Sequence, residues 1–401
     1  MKSPTATPWR KRASALADSL AERGILRSEV WRAAVEQTPR HLFVPASTST
    51  TAAGSTAQEA SVDTWLDEVY SDVTLVVQRR SLPSGQAGDG EPAALPTSSS
   101  TMPSLMVEML EALDLHSGHR VLEIGTGTGY NAALLSYRLG AENVVSVDID
   151  PGLVQTATQR LEELGHSPTL VTGDGLAGVP DHGPYNRIIA TCAVPEVPLA
   201  WIDQLAPGGA MLINLRGEVA GVLCLLTKHD DDDEVIGPAV SSGGDFMWLR
   251  RELNSPLRDE ESPTVISARK VARRLTVLSP TDVLGDRDFF WLLQLELPGL
   301  RMICSTEVFD PMNKVSRPGL HMYAEDGSHV QVINEPETDG QYRVIQGGCR
   351  RLWDTVETAH ASWVRLANPA PHRFNVVANS TIQFVSLDSD TNWLRWPLPL
   401  V

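Results

Sequence analysis

The chain has 401 residues, of which 42% are hydrophobic, and this length favours a globular protein of more than one domain. Its net charge of −17 argues against a nucleic-acid partner, because phosphate binding needs a basic surface. The chain has no apolar run of membrane-spanning length, no secretory signal in its polar start, and four scattered cysteines that predict neither a metal site nor a disulfide framework. We therefore expect a cytoplasmic protein with no membrane partner and no metal.

The first hundred residues alternate between ordered segments and loops. Apolar residues at helical spacing predict helices over Trp9–Arg23 and Ser28–Glu36. Stretches rich in small and polar residues predict surface loops at Ala46–Ala60 and Ser81–Leu95. Between these loops, Trp65–Gln78 predicts an ordered segment that ends in a strand.

A cluster of hydroxyls closed by a proline follows at Ser98–Pro103 (S-S-S-T-M-P). Pro103 begins a predicted helix that ends at Leu113 and has apolar residues on one face. Hydroxyls can hydrogen-bond a substrate, or they can cap the first turn of this helix, and the two roles are compatible.

A glycine-rich turn lies just after this helix, in Val121–Tyr130 (V-L-E-I-G-T-G-T-G-Y). Tyr130 occupies the position that a dinucleotide-binding fingerprint reserves for glycine, and no Lys follows as it does in a phosphate-binding loop. Glu123 would repel a pyrophosphate. S-adenosylmethionine (SAM) carries a sulfonium and an ammonium group but no phosphate, so SAM fits this turn better.

Acidic residues follow the next strands in the order that a nucleoside site needs. Strands are predicted near 120–124, 143–147, 168–172, 186–191 and 209–215, in alternation with helices, so we expect a mostly parallel, Rossmann-like α/β sheet. Asp148 can bind both ribose hydroxyls and Asp174 can accept from an adenine amino group, although each acid could instead cap a helix. The predicted cofactor-binding residues are Glu123, Gly125, Thr126, Gly127, Gly129, Asn131, Asp148, Ile149, Asp174, Gly175 and Thr191.

The rest of the chain lacks this alternation. The acidic run Asp230–Glu234 predicts a solvated loop, and strands are predicted at Phe289–Leu297, Gly319–Ala324 and His329–Val332, with one helix over Cys349–Leu366. We therefore expect three parts: an N-terminal helical segment over residues 1–100, a SAM-binding domain over 101–228 and an extra α+β domain over 243–401.

These motifs together resemble the protein-L-isoaspartate O-methyltransferase family over roughly residues 30–226. The matching segments are Pro39–Pro45, Val69–Asp72, the hydroxyl cluster with its proline, Leu122–Tyr130 and Ala190–Gly209. In that family the corresponding residues before the proline read Thr-Ile-Ser, and the serine hydroxyl lies at the methyl-transfer site. This sequence has Ser99, Ser100 and Thr101 there, so the resemblance implies Thr101, with its two neighbours, as the catalytic residues.

The ending from Arg350 to Asp388 resembles a branch of methyltransferases that accompany ATP-grasp peptide maturases in graspetide pathways. This resemblance implies that the protein methylates an aspartate side chain of a crosslinked precursor peptide, and that the ester then closes to an aspartimide. The C-terminal domain is expected to recognise the peptide, and so are Tyr70, Asp72, Ser98, Val194 and Pro195. The alternatives are isoaspartyl repair, a lanthipeptide-modifying relative, a small-molecule methyltransferase and a noncatalytic peptide-binding module; the oligomeric state stays open.

Overall fold

The computed structural model describes residues 8–45, 62–81, 94–229, 233–253, 271–310, 315–388 and 393–399. The predicted loop Ala46–Ala60 lies outside these ranges, as do most of Ser81–Leu95 and part of the acidic run Asp230–Glu234.

The N-terminal part consists of helices and one hairpin. The two predicted helices are confirmed as α1 (Pro8–Glu22) and α2 (Glu29–Gln37). The next elements are α3 (Val62–Val69), β1 (Leu75–Ser81), β2 (Ala94–Ser100) and α4 (Pro103–Ala112). β1 and β2 pair antiparallel, with Val76 opposite Ser99, so the hydroxyl cluster lies largely on a strand.

The alternation predicted from residue 120 onwards is confirmed. Its elements are β3 (Val121–Ile124), α5 (Tyr130–Leu139), β4 (Val144–Asp148), α6 (Pro151–Glu163), β5 (Thr169–Thr172), β6 (Tyr185–Val194), α7 (Leu199–Gln204), β7 (Leu205–Arg216), β8 (Gly221–Lys228) and β9 (Val235–Ser241). Strands β5, β4, β3, β6 and β7 pair in parallel in that order, and β8 and β9 continue the sheet antiparallel. The carboxyl ends of β3, β4 and β6 therefore meet at one edge, where such sheets bind ligands.

The C-terminal part forms a second sheet and also extends the first. Its elements are β10 (Ala272–Thr276), α8 (Pro280–Gly285), α9 (Arg287–Glu296), β11 (Arg301–Asp310), β12 (Val315–Tyr323), β13 (His329–Ile333), β14 (Tyr342–Gly347), α10 (Leu352–Arg365), β15 (Phe374–Ala378), β16 (Gln383–Asp388) and β17 (Trp393–Pro397). The second sheet is antiparallel with the order β10-β14-β13-β12-β11, whereas β15, β16 and β17 join the main sheet by the pairing of β15 with β9. The predicted strands at 319–324 and 329–332 and the helix at 349–366 are confirmed as β12, β13 and α10. The division into three domains stays a prediction.

The strand predicted at Phe289–Leu297 is wrong, because this segment belongs to helix α9. The side chain of Asp286 accepts hydrogen bonds from the backbone N–H groups of Asp288 and Phe289 and so begins the helix. A short apolar run does not by itself distinguish a buried strand from a buried helix.

Apolar side chains cover both faces of the main sheet. One buried cluster extends from β3, β6 and β7 to α9, α10 and the last strands, and it includes Ile188, Met211 and Trp291. A second cluster packs α1, α2, α4 and α5 against the other face, where Ile189 and Leu212 point because successive strand residues alternate sides. Within the described ranges, no helix is both long enough and apolar enough to cross a bilayer.

Candidate active site

A cavity of about 570 Å³ lies at the carboxyl ends of β3, β4 and β6. The glycine turn after β3, Asp148 at the end of β4 and Thr191 in β6 border it on one side. The hydroxyls at the end of β2 border it on another side, and residues 243–250 with Arg287 complete its wall. The two segments that the sequence singles out therefore share one cavity.

The three glycines of the turn have backbone conformations that side chains rarely adopt. The φ angle is +96° at Gly125, +52° at Gly127 and +87° at Gly129. A Cβ atom at Gly125 would lie 2.8 Å from Thr191 Oγ1, and one at Gly129 would lie 2.9 Å from a side-chain carbon of α6. A Cβ at Gly127 would lie 3.6 Å from Ser98 Oγ, so the turn approaches β2 closely. Gly125 and Gly127 border the cavity, whereas Gly129 packs against α6.

Glu123 is fully buried, and both of its carboxyl oxygens accept hydrogen bonds from side chains. Asn131 Nδ2 donates to Oε1 at 2.7 Å, and Ser146 Oγ donates to Oε2 at 2.5 Å. Thr126 Oγ1 lies 2.6 Å from Ser146 Oγ, so these hydroxyls connect the glycine turn to the carboxyl group. Burial raises the pKa of Glu123 to about 7, although the two donors act in the opposite direction.

Asp148 is oriented by backbone donors. Its Oδ2 accepts the Gly127 N–H at 2.8 Å, and its Oδ1 accepts the Asp150 N–H at 3.0 Å. Burial raises the pKa of Asp148, and these two N–H groups oppose that effect. Asp150, rather than Asp148, caps helix α6. Each oxygen of Asp148 keeps acceptor capacity, so the carboxylate can bind a pair of adjacent hydroxyls in the cavity, next to Ile149.

Asp174 lies beside the cavity rather than in its wall. Its Oδ1 accepts the Leu176 N–H at 2.9 Å and so caps the turn after β5, and its Oδ2 lies 3.8 Å from Arg251 Nε. Gly175 does border the cavity, and a Cβ there would lie 2.8 Å from a side-chain carbon of Ile124. The geometry fits the capping alternative for Asp174, and its contact with adenine stays a prediction.

All four residues of the hydroxyl cluster, Ser98, Ser99, Ser100 and Thr101, border the cavity. The alternation of the strand buries Ser98 and Ser100 and leaves the other two half-buried. Met102 occupies the N-cap position of α4, and its side chain makes no capping hydrogen bond. The Ser104 N–H of the first turn instead donates to Asp72 Oδ1 at 2.8 Å. The alternative that the cluster caps this helix is therefore wrong.

Arg40 fixes the position of the hydroxyl cluster. This fully buried side chain donates from Nη1 and Nη2 to four backbone carbonyl oxygens at 2.7–3.2 Å, those of Val69, Ser71, Val73 and Thr101. Its Nη2 also lies 3.4 Å from Ser100 Oγ. Burial lowers the pKa of Arg40, and the nearby charge of Asp72 opposes this effect. The groups that accept its short hydrogen bonds are backbone carbonyls. One guanidinium thus joins the segment before β1 to the end of β2.

Four residues predicted to bind substrate lie outside the cavity wall. Tyr70 is buried and its hydroxyl lies 2.8 Å from His41 Nδ1. Asp72 forms an ion pair with Arg23 at 2.6 Å. Burial raises the pKa of Asp72, but the hydrogen bonds from Arg23 and from the Ser104 N–H outweigh burial and hold this pKa below its usual value. Val194 is buried in the core at the end of β6, next to Pro195. Their contact with a peptide stays a prediction.

Sequence reasoning missed two components of the site, and it interpreted a third, Arg40, as structural without identifying its partners. Ser146 is a lone hydroxyl within the apolar strand V-V-S-V, and this pattern could have indicated a buried partner. Arg40 lies in an apolar segment, and its acceptors are backbone carbonyls that no sequence pattern marks. Residues 243–250 (G-G-D-F-M-W-L-R) carry no recognisable motif, although they form a wall of the cavity.

The residues around the cavity fit SAM. Gly125 and Gly127 border the cavity, and their lack of side chains lets the backbone of the turn form its wall. Asn131 Oδ1 is a buried acceptor that has no partner among the described residues, and an ammonium group is a suitable donor for it. The two oxygens of Asp148 have acceptor capacity left for a pair of adjacent hydroxyls. Acceptors for an ammonium group and for a pair of hydroxyls are therefore present at the cavity.

Several protein-L-isoaspartate O-methyltransferases are similar to this chain in sequence, over alignments of different lengths. A protein-L-isoaspartate O-methyltransferase from Hyperthermus butylicus is 29% identical over 257 residues, which cover 60% of this chain and 92% of the relative. One from Methanothermobacter thermautotrophicus is 32% identical over 222 residues, which cover 54% of this chain and 86% of the relative. One from Xanthobacter autotrophicus is 47% identical over 116 residues, 29% of this chain, and the chain spans only 52% of that relative's length.

A solved structure and a family profile extend this similarity. A structure titled protein-L-isoaspartate O-methyltransferase aligns over 94% of this chain and 100% of its own with a TM-score of 0.51 and 23% identity, so the shared fold includes residues beyond 242. The profile described as "Protein-L-isoaspartate(D-aspartate) O-methyltransferase (PCMT)" matches residues 11–242. The predicted fold and the predicted class, a SAM-dependent carboxyl O-methyltransferase, are confirmed, because the chain belongs to this family.

Proposed function

We propose that this chain transfers a methyl group from SAM to a carboxylate of a peptide. The observation that carries the proposal is the close approach of the glycine turn to the hydroxyl strand, where a Cβ at Gly127 would lie 3.6 Å from Ser98 Oγ. A nucleoside held by Asp148 and the turn would therefore lie next to hydroxyls that can hold an acceptor. The cofactor-binding and catalytic roles of the predicted residues are part of this proposal.

Methyl transfer to a carboxylate requires the protein mainly to position the two reactants. SAM, when bound, supplies an electrophilic methyl group that a carboxylate accepts without losing a proton. The unperturbed pKa of an aspartate is ~3.9, so the acceptor is ionised at neutral pH and no general base is needed. Ser99 and Thr101 donate hydrogen bonds that orient the acceptor oxygen, and Arg40 holds their strand in place. Orientation of this kind can supply roughly 7–11 kcal/mol of a barrier.

We further propose that the acceptor is an aspartate side chain in a crosslinked, graspetide-type precursor peptide. The departure at Thr101, where the family has serine, supports a changed acceptor, because the extra methyl group narrows the space beside the hydroxyl. The methyl ester then closes to an aspartimide, since the next backbone nitrogen attacks the ester carbonyl and methanol leaves. Such a substrate suits a cytoplasmic enzyme, and the cysteines Cys192, Cys224 and Cys349 are free thiols.

Repair of isoaspartyl residues is the second candidate, and the names of the relatives favour it. Two peptides of identical sequence, one with a crosslinked aspartyl acceptor and one with an isoaspartyl acceptor, separate the two functions. We expect labelled methyl from SAM to enter the aspartyl peptide with the higher kcat/KM, as a base-labile ester. Equal or faster turnover of the isoaspartyl peptide would contradict the graspetide proposal and support repair.

We also propose that residues 243–401 recognise the peptide. The support is that residues 243–250 and Arg287 border the cavity, so this part of the chain reaches the acceptor site. Substitutions at the cavity-facing residues of this part should weaken peptide binding more than SAM binding, and calorimetry with each ligand measures both. Weaker SAM binding with unchanged peptide binding would contradict this role.

A further inference from the structure

Residues 243–250 form a fixed wall of the cavity, and they follow residue 242, the last that the family profile matches. The Ala193 N–H donates to the Met247 carbonyl at 2.9 Å, and the Leu249 N–H donates to the Ala193 carbonyl at 2.9 Å. Arg216 Nη1 donates to the Phe246 carbonyl at 2.7 Å. The backbone of this segment is therefore held in place at a part of the site that the family profile does not include.

Among the described residues, three arginines border the cavity, and two of them form ion pairs with carboxylates. Arg23 pairs with Asp72 at 2.6 Å, and Arg287 pairs with Asp245 at 2.7 Å. The third is Arg250, which belongs to the wall segment and has no carboxylate within ion-pair distance in the described part of the chain.

Arg250 is anchored by backbone carbonyls. Its Nη1 donates to the Leu253 carbonyl at 3.2 Å, and its Nη2 donates to the Thr97 carbonyl at 3.4 Å. An arginine has five N–H donors, so these two bonds orient the guanidinium and leave donors for a ligand. In a chain with a net charge of −17, such a cation gives the cavity a local attraction for an anion.

The position of Arg250 indicates which anion it would bind. Its contact with the Thr97 carbonyl places the guanidinium beside β2, the strand that carries the hydroxyl cluster, and its charge also opposes the rise that burial causes in the pKa of Asp148. The carboxylate of SAM lies on the other side of the sulfonium from the ribose. An anion at Arg250 therefore belongs to a second molecule, the acceptor peptide.

The contact of Arg250 with the Thr97 carbonyl indicates how far the guanidinium lies from the expected methyl-transfer site. Thr97 precedes Ser99 by two residues and Thr101 by four, which is roughly 7 Å and roughly 13 Å along an extended strand. An extended peptide has the same rise per residue. A side chain that reaches Arg250 while the acceptor lies at the hydroxyls would thus be two to four positions away from the acceptor.

We propose that Arg250 binds a second carboxylate of the acceptor peptide and so selects peptides with an acidic residue two to four positions from the methylated one. This inference rests on the proposed peptide methylation and adds a substrate preference to it. It applies to aspartyl and isoaspartyl acceptors alike.

Matched peptides test the proposal with the full-length enzyme. Each pair carries one acceptor and differs only by Glu or Gln at a position two, three or four residues before or after it. We expect kcat/KM to be about tenfold higher for Glu at one or more of these positions, as a charged hydrogen-bond partner is lost in the Gln peptide. The Glu-to-Gln ratio should fall to about one in Arg250→Gln and should persist in Arg287→Gln, the matched control whose arginine already has a carboxylate partner.

Calorimetry with S-adenosylhomocysteine and peptide provides a readout that does not depend on turnover. Peptide affinity should fall in Arg250→Gln, whereas affinity for S-adenosylhomocysteine should stay within about twofold. If Arg250→Gln does not fold, the wild-type enzyme is assayed at increasing salt concentration instead. Turnover of the Glu peptides should then fall, and turnover of the Gln peptides should not. A wild-type ratio near one for every pair, an unchanged ratio in Arg250→Gln, or lost cofactor affinity with the ratio retained would each overturn the proposal. Absence of turnover with every peptide would instead contradict the proposed function.

Discussion

Substitution of Arg40 by lysine tests how the hydroxyl strand is positioned. The guanidinium reaches Val69 O and Ser71 O from Nη1 and reaches Val73 O and Thr101 O from Nη2. A lysine ammonium is a single point and cannot serve both groups of carbonyls. At least two charge-assisted bonds of ~1.5–3 kcal/mol each would be lost, so we expect the free energy of unfolding to fall by about 3–6 kcal/mol.

The same change should slow methyl transfer in the molecules that remain folded. The Thr101 carbonyl is one of the lost acceptors, and a displacement of about 1 Å at a reacting group can reduce the rate on the order of a hundredfold. Urea unfolding followed by circular dichroism gives the stability, and kcat per folded molecule gives the positioning effect. We expect kcat to fall at saturating peptide and SAM.

Arg187→Lys is the matched control for Arg40→Lys. Arg187 is a half-buried arginine that also donates to carbonyls, those of Leu113 at 2.9 Å and Asn186 at 2.8 Å, but it does not border the cavity. This control should lose stability and keep its kcat per folded molecule. The reasoning is refuted if Arg40→Lys unfolds at the wild-type urea concentration, or if it loses stability while its kcat stays at the wild-type value.

Substitutions at three further positions address the cavity. Thr101→Val should lower kcat by roughly ten- to a hundredfold at unchanged SAM affinity, because a hydrogen bond to a charged acceptor is lost, whereas Thr101→Ser should retain turnover; full activity of the valine variant would remove this hydroxyl from the mechanism. Gly125→Ala should weaken SAM binding in calorimetry, because its Cβ would lie 2.8 Å from Thr191 Oγ1 at a φ of +96°; wild-type affinity would contradict the assignment of the turn. In the folded protein the pKa of Glu123 is raised from 4.5 to about 7. Between pH 4.5 and pH 7 the folded state therefore holds a proton that the unfolded state lacks. The free energy of unfolding should fall as pH rises through this range, by at most about 1.4 kcal/mol per pH unit. Urea unfolding at several pH values measures this slope, which Glu123→Gln should abolish; equal slopes would show that Glu123 is ionised when folded.

The strand ends of the α/β part could be predicted from the sequence because the signals there are local. Apolar runs marked the strands, the glycines required turns with positive φ, and parallel strands bring their carboxyl ends to one edge. The sequence alone therefore predicted that Gly125, Asp148 and Thr191 lie at the same site, and all three border the cavity.

The remaining features depend on contacts between distant segments. Arg40 binds carbonyls that lie 29 to 61 residues away, and any residue type supplies a carbonyl. Residues 247–249 join the cavity wall by two backbone hydrogen bonds to Ala193, which leave no trace in side-chain composition. The apolar run at Phe289 was compatible with a strand, and the deciding signal was the cap at Asp286. Such features follow from tertiary packing rather than from local pattern.

A crystal structure of the enzyme with S-adenosylhomocysteine and an acceptor peptide tests the central claim most directly. We predict that the ribose hydroxyls bind Asp148, that the sulfur lies beside the glycine turn, and that the acceptor carboxylate lies between this sulfur and the hydroxyls of Ser99 and Thr101. An adenosine bound elsewhere, or a peptide whose carboxylate lies away from β2, would contradict the account.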